Sequence, residues 1–259
     1  MTAHQKPAAF VVPPLIKKNT ALFALSQSFT GAGMQLAYGV GPLMVYQLSG
    51  SAGLSGLSVA LIGLSRFLVA YHIGRITDRY GRKPGIYFGL TLALCGATVT
   101  GLSLWANSLA VFVAGMLVFG MGMNASQQLR VAATDMFPPQ MRARALGYVA
   151  TGSLVGLALM PIMVTISDKN AAAFKIDPLA APWFMVPALI IIGMILVTRV
   201  QPDPKHIGMN LAHYYPGYEP PPKVVNAKGE FSAWELLKRP RILLAIVSNS
   251  AGQANMSIV

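Results

Sequence analysis

Of the chain's 259 residues, 54% are hydrophobic and only 11% are charged, less than half the charge of an ordinary soluble domain, where about 25% is usual. This balance excludes disorder, which needs low hydrophobicity and abundant charge. A single cysteine, Cys95 in an apolar run, excludes a disulfide scaffold. The formal net charge of +12 raises nucleic acid as a partner, so the placement of the basic residues has to be followed along the chain.

A tail over 1–19, with Lys6, Lys17 and Lys18, leads into an interval without Asp, Glu, Lys or Arg that runs to 65. Further uncharged intervals cover 84–129, 145–167, 178–198 and 242–259. One spanning helix needs roughly 20 apolar residues, so the first two intervals each hold two. Gly50-Ser51-Ala52-Gly53 divides the first pair and Trp105-Ala106-Asn107-Ser108 the second. The expected spans are 20–47, 54–75, 84–104, 109–130, 145–167 and 181–199, a six-helix transmembrane body over 20–199. Helices are required because backbone polar groups in hydrocarbon must be satisfied within the segment. The first interval is too long for a cleaved signal peptide and lacks its small-residue cleavage site.

Residues 200–240 are polar and proline-rich, a linker in which Ser232-Ala233-Trp234-Glu235 fits a capping box for a short interfacial helix. A seventh span begins near 241, so that 241–259 reads as its start. Basic residues of the tail, of 75–83, of 142–144 and of 199–241 all fall on one face of this layout. The other face has only Lys169 and Lys175, balanced by Asp168 and Asp177. Basic loops stay cytoplasmic, so the N-terminus is expected inside the cell. The charge is topological, and no nucleic acid is needed to explain it.

Between the second and third spans the chain reads Gly74-Arg75-Ile76-Thr77-Asp78-Arg79-Tyr80-Gly81-Arg82-Lys83. So short a connection makes its two helices antiparallel neighbours. Gly74 leaves room for another helix to approach, and Gly81 can take the positive φ of a tight turn. Asp78 and Arg82 are spaced to pair if the turn stays helical. Arg75 and Arg79 suit the negative dipole end of the second helix.

Gly-x-x-x-Asp-Arg-x-Gly-Arg-Lys resembles the signature loop of the major facilitator superfamily at every defining position. Asp135-Met136-Phe137-Pro138, followed by Arg142-Ala143-Arg144-Ala145-Leu146-Gly147, resembles a second family segment after the fourth helix. The resemblance implies an all-α membrane protein built from two inverted three-helix repeats plus a partial seventh helix. It implies that Asp78 faces a helix end of a second half, that Arg82 pairs with Asp135, and that Gly74 is a close-contact position. Arg79, Gly81, Lys83 and Arg142 complete that gating set. The antiporter-type fifth-helix pattern fits poorly. Gly152 and Gly156 are present, but Leu157, Met160 and Pro161 stand where a proline and two glycines would be. Those glycines read as a packing face and Pro161 as a kink.

Polar residues inside spans need partners or a cavity. Gln27, Thr30, Gln35 and Tyr38 share one side of the first span, and Asn124, Gln127 and Gln128 one side of the fourth. Asn249, Gln253 and Asn255 mark the seventh. The resemblance places helices one, four and seven around a central cavity, in agreement with this polarity. Arg66 lies eight residues before Gly74, roughly 12 Å along a helix at ~1.5 Å per residue, where an anionic solute or a structural partner would balance it. No Asp or Glu falls inside a span, no Gly-x-Ser-x-Gly occurs, and His4, His72, His206 and His213 lack metal-ligand spacing. No enzyme, cofactor or metal site is expected.

These observations point to a secondary active transporter of a small solute in the plasma membrane, working by alternating access. Its partners would be the lipid bilayer, the solute, a coupling ion, and either a second transporter half absent from this chain or a second copy. The competing class is a membrane scaffold of the same fold that transports nothing.

Overall fold

A computed structural model of the chain describes residues 11–220 and, beyond them, 240, 242–244 and 247–248. The expectations for the 232–235 capping box and for Asn249, Gln253 and Asn255 lie outside the described residues. Among those described the chain is helical, with no strand. It is an all-α membrane protein.

The first helix, α1 (Pro14–Gly39), starts earlier than the sequence suggests, with Pro14 in a first turn that has no use for its missing N–H. It is followed at once by α2 (Gly41–Ser49). Pro42 cannot donate the bond that would continue the ladder, so the expected span over 20–47 is two helices jointed at Val40. Gly50, left-handed at φ 68, closes α2. A short 3₁₀ turn, Ala52–Leu54, leads to α3 (Leu57–Tyr80), and α4 (Arg82–Trp105) follows after one residue. Ser108, whose hydroxyl accepts from the Val111 N–H, opens α5 (Leu109–Ser126). α6 (Gln128–Asp135) continues it after a break at Gln127. α7 (Arg142–Phe174) runs on as one helix through Pro161, and α8 (Ala181–Thr198) ends the long helices. Two short ones remain, α9 (Pro204–Met209) and α10 (Leu211–Tyr214). A separate unit begins at Pro220, and its residues 240, 242–244 and 247–248 are helical.

Among the described residues, five stretches are long and apolar enough to cross a membrane: Ala52–Tyr80, Arg82–Trp105, Leu109–Asp135, Pro139–Ala171 and Ala181–Thr198. α1 is not among them. Its Ser26, Gln27, Ser28 and Thr30 dilute its apolarity, and all four are buried within the body.

In lipid no hydrophobic force draws apolar helices together, and small residues that let backbones approach take its place. Gly122 of α5 sits directly on the backbone of Ala93 in α4, and Gly96 of α4 on that of Phe119. On the other side of the body Gly152 of α7 meets the Ala24 carbonyl, and a Cβ on Gly156 would lie 2.6 Å from the Ser28 carbonyl oxygen. These contacts fix α4 on α5 and α7 on α1. α8 closes the body against α1 and α4, bringing Trp183 edge-on to Phe119 with ring centroids 5.2 Å apart. Large apolar side chains on α3 (Phe67, Tyr71) and α7 (Leu154, Ile162) point outward.

Candidate functional site

The segment over 75–83 is not a loop. α3 continues to Tyr80 and α4 begins at Arg82, so Gly81 alone reverses the chain, at φ 104, a conformation open to glycine. The pairing of helix ends brings Arg82 between two carboxylates. Its Nε donates to Asp135 Oδ2 at 2.6 Å, and its Nη1 lies 3.6 Å from Asp78 Oδ1. The Arg82 and Asp135 side chains are about one-fifth exposed (21% and 22%), that of Asp78 82%. The first contact is a close, charge-assisted hydrogen bond. The second is a loose surface pair.

Asp203 is the member of this cluster that sequence reasoning missed. One carboxylate oxygen accepts from the Lys83 N–H at 3.0 Å, and the other from the Arg82 N–H at 3.3 Å and the Lys205 N–H at 2.8 Å. A single acid thus caps the starts of both α4 and α9. The available signal was Asp203-Pro204, an acid at the cap followed by proline at the first helical position. Lys83 Nζ donates to the Val200 carbonyl at 2.8 Å, beyond the end of α8. Lys205 Nζ donates to the Asp78 backbone carbonyl at 2.5 Å. Buried Tyr215 donates from its hydroxyl to the Met136 carbonyl at 3.2 Å, just past Asp135. Burial pushes that hydroxyl's pKa well above the ordinary tyrosine value. The guanidinium of Arg79 lies over the Tyr80 ring at 5.4 Å, and Arg142 is exposed at the start of α7.

Nothing lies within 4 Å of a Cβ placed on Gly74, among the described residues. The close approach at this turn belongs to Gly85 of α4, which meets the Thr77 side chain.

At membrane depth, Arg66 donates from Nε to Asn124 Oδ1 at 2.9 Å. The amide nitrogen of Asn124 is held by the Gly120 carbonyl (2.8 Å), Ser65 Oγ (3.2 Å) and the Ile62 carbonyl (3.3 Å). Asn124 is therefore a fixed acceptor that orients Arg66 across α3 and α5. Gln127 and Gln128, half-buried, flank the break between α5 and α6. Gln35 is half-buried and Tyr38 exposed on α1.

Gln27 and Thr30 lie elsewhere than a surface cavity would need. Thr30 is fully buried, donates to the Ser26 carbonyl at 2.9 Å, and touches α8 near Gly193. Gln27 is 2% exposed. The Thr30 side of α1 also receives α8, because a hydroxyl satisfied by its own helix is compatible with a dry interface, whereas the buried Oε1 of Gln27 has no hydrogen-bond partner among the described residues. At the opposite end of the body, Gln47 Nε2 donates to Asp177 Oδ2 at 2.6 Å, tying the end of α2 to the turn before α8.

Helix lengths, small-residue contacts and buried polar groups define a multi-span α-helical membrane protein with an ion-paired turn at one end. The Major Facilitator Superfamily model matches residues 23–258, and the chain belongs to that family. It is 30% identical over 200 residues to the uncharacterized MFS-type transporter YddS of Bacillus subtilis (strain 168), covering 77% of this chain and 46% of the relative. Similarity to YdeG of the same organism, another uncharacterized MFS-type transporter, is 29% over 191 residues, or 73% and 44% of the two chains. To the riboflavin transporter RfnT of Brucella anthropi it is 24% over 251 residues, or 94% and 57%. The chain spans about half the length of the curated relatives it matches.

Proposed function

We propose that this chain is one helical body of a secondary transporter in the plasma membrane, moving a small solute by alternating access against a second body. The observation that carries the reading is the inequality around Arg82. Asp135 is bound tightly within the body, whereas the motif's own carboxylate, Asp78, stands 82% exposed beside it. An acid that its own fold barely uses is placed to act on something outside that fold. A neighbouring helix N-terminus, with its partial positive charge, is a natural partner for it. Two bodies rocking about a site between them then need a charge latch at one end.

In this reading the basic end, with the N-terminus, is cytoplasmic, and 20–199 forms the transmembrane body preceded by a short tail. Residues 200–240 link it to the second body, which 241–259 begins. That body comes from a longer chain, a separate chain or a second copy. Arg66, Asn124, Gln127 and Gln128 line the solute path, with Arg66 favouring solutes that carry negative charge. Solute transport is favoured over a scaffold because the relatives are named transporters and because polar groups persist at membrane depth. Riboflavin is one solute to try, from the name of one relative.

The test is uptake of a panel of labelled small solutes, riboflavin included, by cells expressing the chain with a second six-helix body. Asp78→Asn should lower uptake at least tenfold at equal membrane abundance. Unchanged uptake in that variant would reduce Asp78 to a topology signal.

A further inference from the structure

A cavity that neither the ion cluster nor the solute path uses lies between the starts of α1 and α7. It encloses about 360 Å³, and its lining includes Lys17, Ala21, Ala24, Phe137, Arg144 and Tyr148. Its walls are mostly apolar and Phe137 within them is buried, yet two cations, Lys17 and Arg144, border it. Arg144 is set in place: its Nε donates to Tyr148 Oη at 2.7 Å and its guanidinium lies over the Tyr148 ring at 5.5 Å. Among the described residues no carboxylate lies within 4 Å of either cation.

The position of the cavity along the bundle follows from the topology. α1 and α7 both begin there, and Phe137 follows the end of α6 two residues after Asp135. It therefore sits at the same end as the Arg82 cluster, where helices leave hydrocarbon for headgroups. A site that is greasy inside and doubly cationic at its rim, at that depth, matches an amphiphile with an acyl body and an anionic head. Residues 1–10 contain Lys6 and no acid, so the tail offers no counter-charge.

We propose that this cavity is a binding site for one anionic phospholipid. Its phosphate would lie between Lys17 Nζ and the outer nitrogens of Arg144, with acyl carbons against Ala21, Ala24 and Phe137. Basic pockets between spanning helices hold lipid headgroups by this combination of fork and apolar wall. Tyr148 is a positioning residue: it spends the Arg144 Nε and leaves the planar pair of Nη groups for phosphate. The site takes a lipid and is independent of which solute, if any, the protein carries.

The experiment is native mass spectrometry of the purified 259-residue chain released from vesicles of phosphatidylglycerol or of phosphatidylcholine. Wild type should keep one phosphatidylglycerol, at least tenfold more than phosphatidylcholine. Lys17→Ala with Arg144→Ala should reduce retention to the phosphatidylcholine level, whereas Lys169→Ala with Lys175→Ala, equal in charge lost, should not. Amine acetylation of the wild type gives a reading that does not depend on a variant folding. Phosphatidylglycerol should slow modification of Lys17 several-fold and leave Lys169 unchanged. Equal retention in the Lys17/Arg144 variant, or equal acetylation of Lys17 in both lipids, would overturn the site. So would displacement by millimolar inorganic phosphate, which would mark a plain anion site.

Discussion

Arg82 faces two carboxylates and is committed to one. A charge-assisted hydrogen bond between partly buried groups contributes about 1.5–3 kcal/mol, whereas an exposed ion pair contributes about 0–1 kcal/mol. Asp135→Asn should therefore destabilise the body by roughly 2 kcal/mol, read as a lowered midpoint in detergent unfolding. Asp78→Asn should shift that midpoint by no more than about half as much. Equal effects would mean that Asp78 is structural.

Tyr215 supplies a pH signature at the same scale. Its pKa is raised by burial, so the folded chain keeps the proton after the unfolded chain begins to release it near pH 10. Stability from this group is complete below about pH 10 and is lost as pH rises toward the folded value. The advantage of wild type over Tyr215→Phe, on the order of 1 kcal/mol, should be flat from about pH 6 to 9 and shrink above about 10. An advantage that grew with pH would place the tyrosine in a different setting.

Among the elements, glycines separate into those that set helix distances and those that do not. Gly152→Leu would drive a side chain into the Ala24 carbonyl, a clash that backbone movement alone relieves. It should abolish a monodisperse folded peak in size-exclusion chromatography. Gly147, on the same helix with nothing within 4 Å, should accept Ala at no loss or with a gain of about 0.5–1 kcal/mol. Charge-free length and turn residues made the helices legible: α4 ends at Trp105 and α5 begins at Leu109, where Trp105-Ala106-Asn107-Ser108 interrupts the apolar run. The glycine pair on α7 was legible from spacing too. The α4–α5 contacts through Gly96 and Gly122 were not, because which glycine meets which backbone depends on helix rotation. Rotation also hid the fate of Thr30, since a buried hydroxyl bonded to its own helix and a wet one share one sequence pattern. Asp203-Pro204 marks the start of α9 in sequence, but the second role of Asp203, at the start of α4, is set by tertiary structure.

For the whole molecule, topology and gating are separate questions. A reporter fused after Asn170 should be active outside the cell and one after Asn226 inside, since an odd number of spans lies between them. Both on one side would sink the span count. In the proposed transport cycle, polar groups at membrane depth face a path open alternately to each side, biased by Asp78. The most direct measurement uses the chain in its own membrane, in whatever assembly it forms there. Cys95, exposed and the sole cysteine, is replaced by Ser, and Gln127 by Cys. A membrane-impermeant maleimide is then applied to right-side-out and inside-out vesicles. Labelling is expected from both faces, with Asp78→Asn changing the ratio several-fold. Labelling from one face alone, at a ratio indifferent to Asp78, would contradict that cycle.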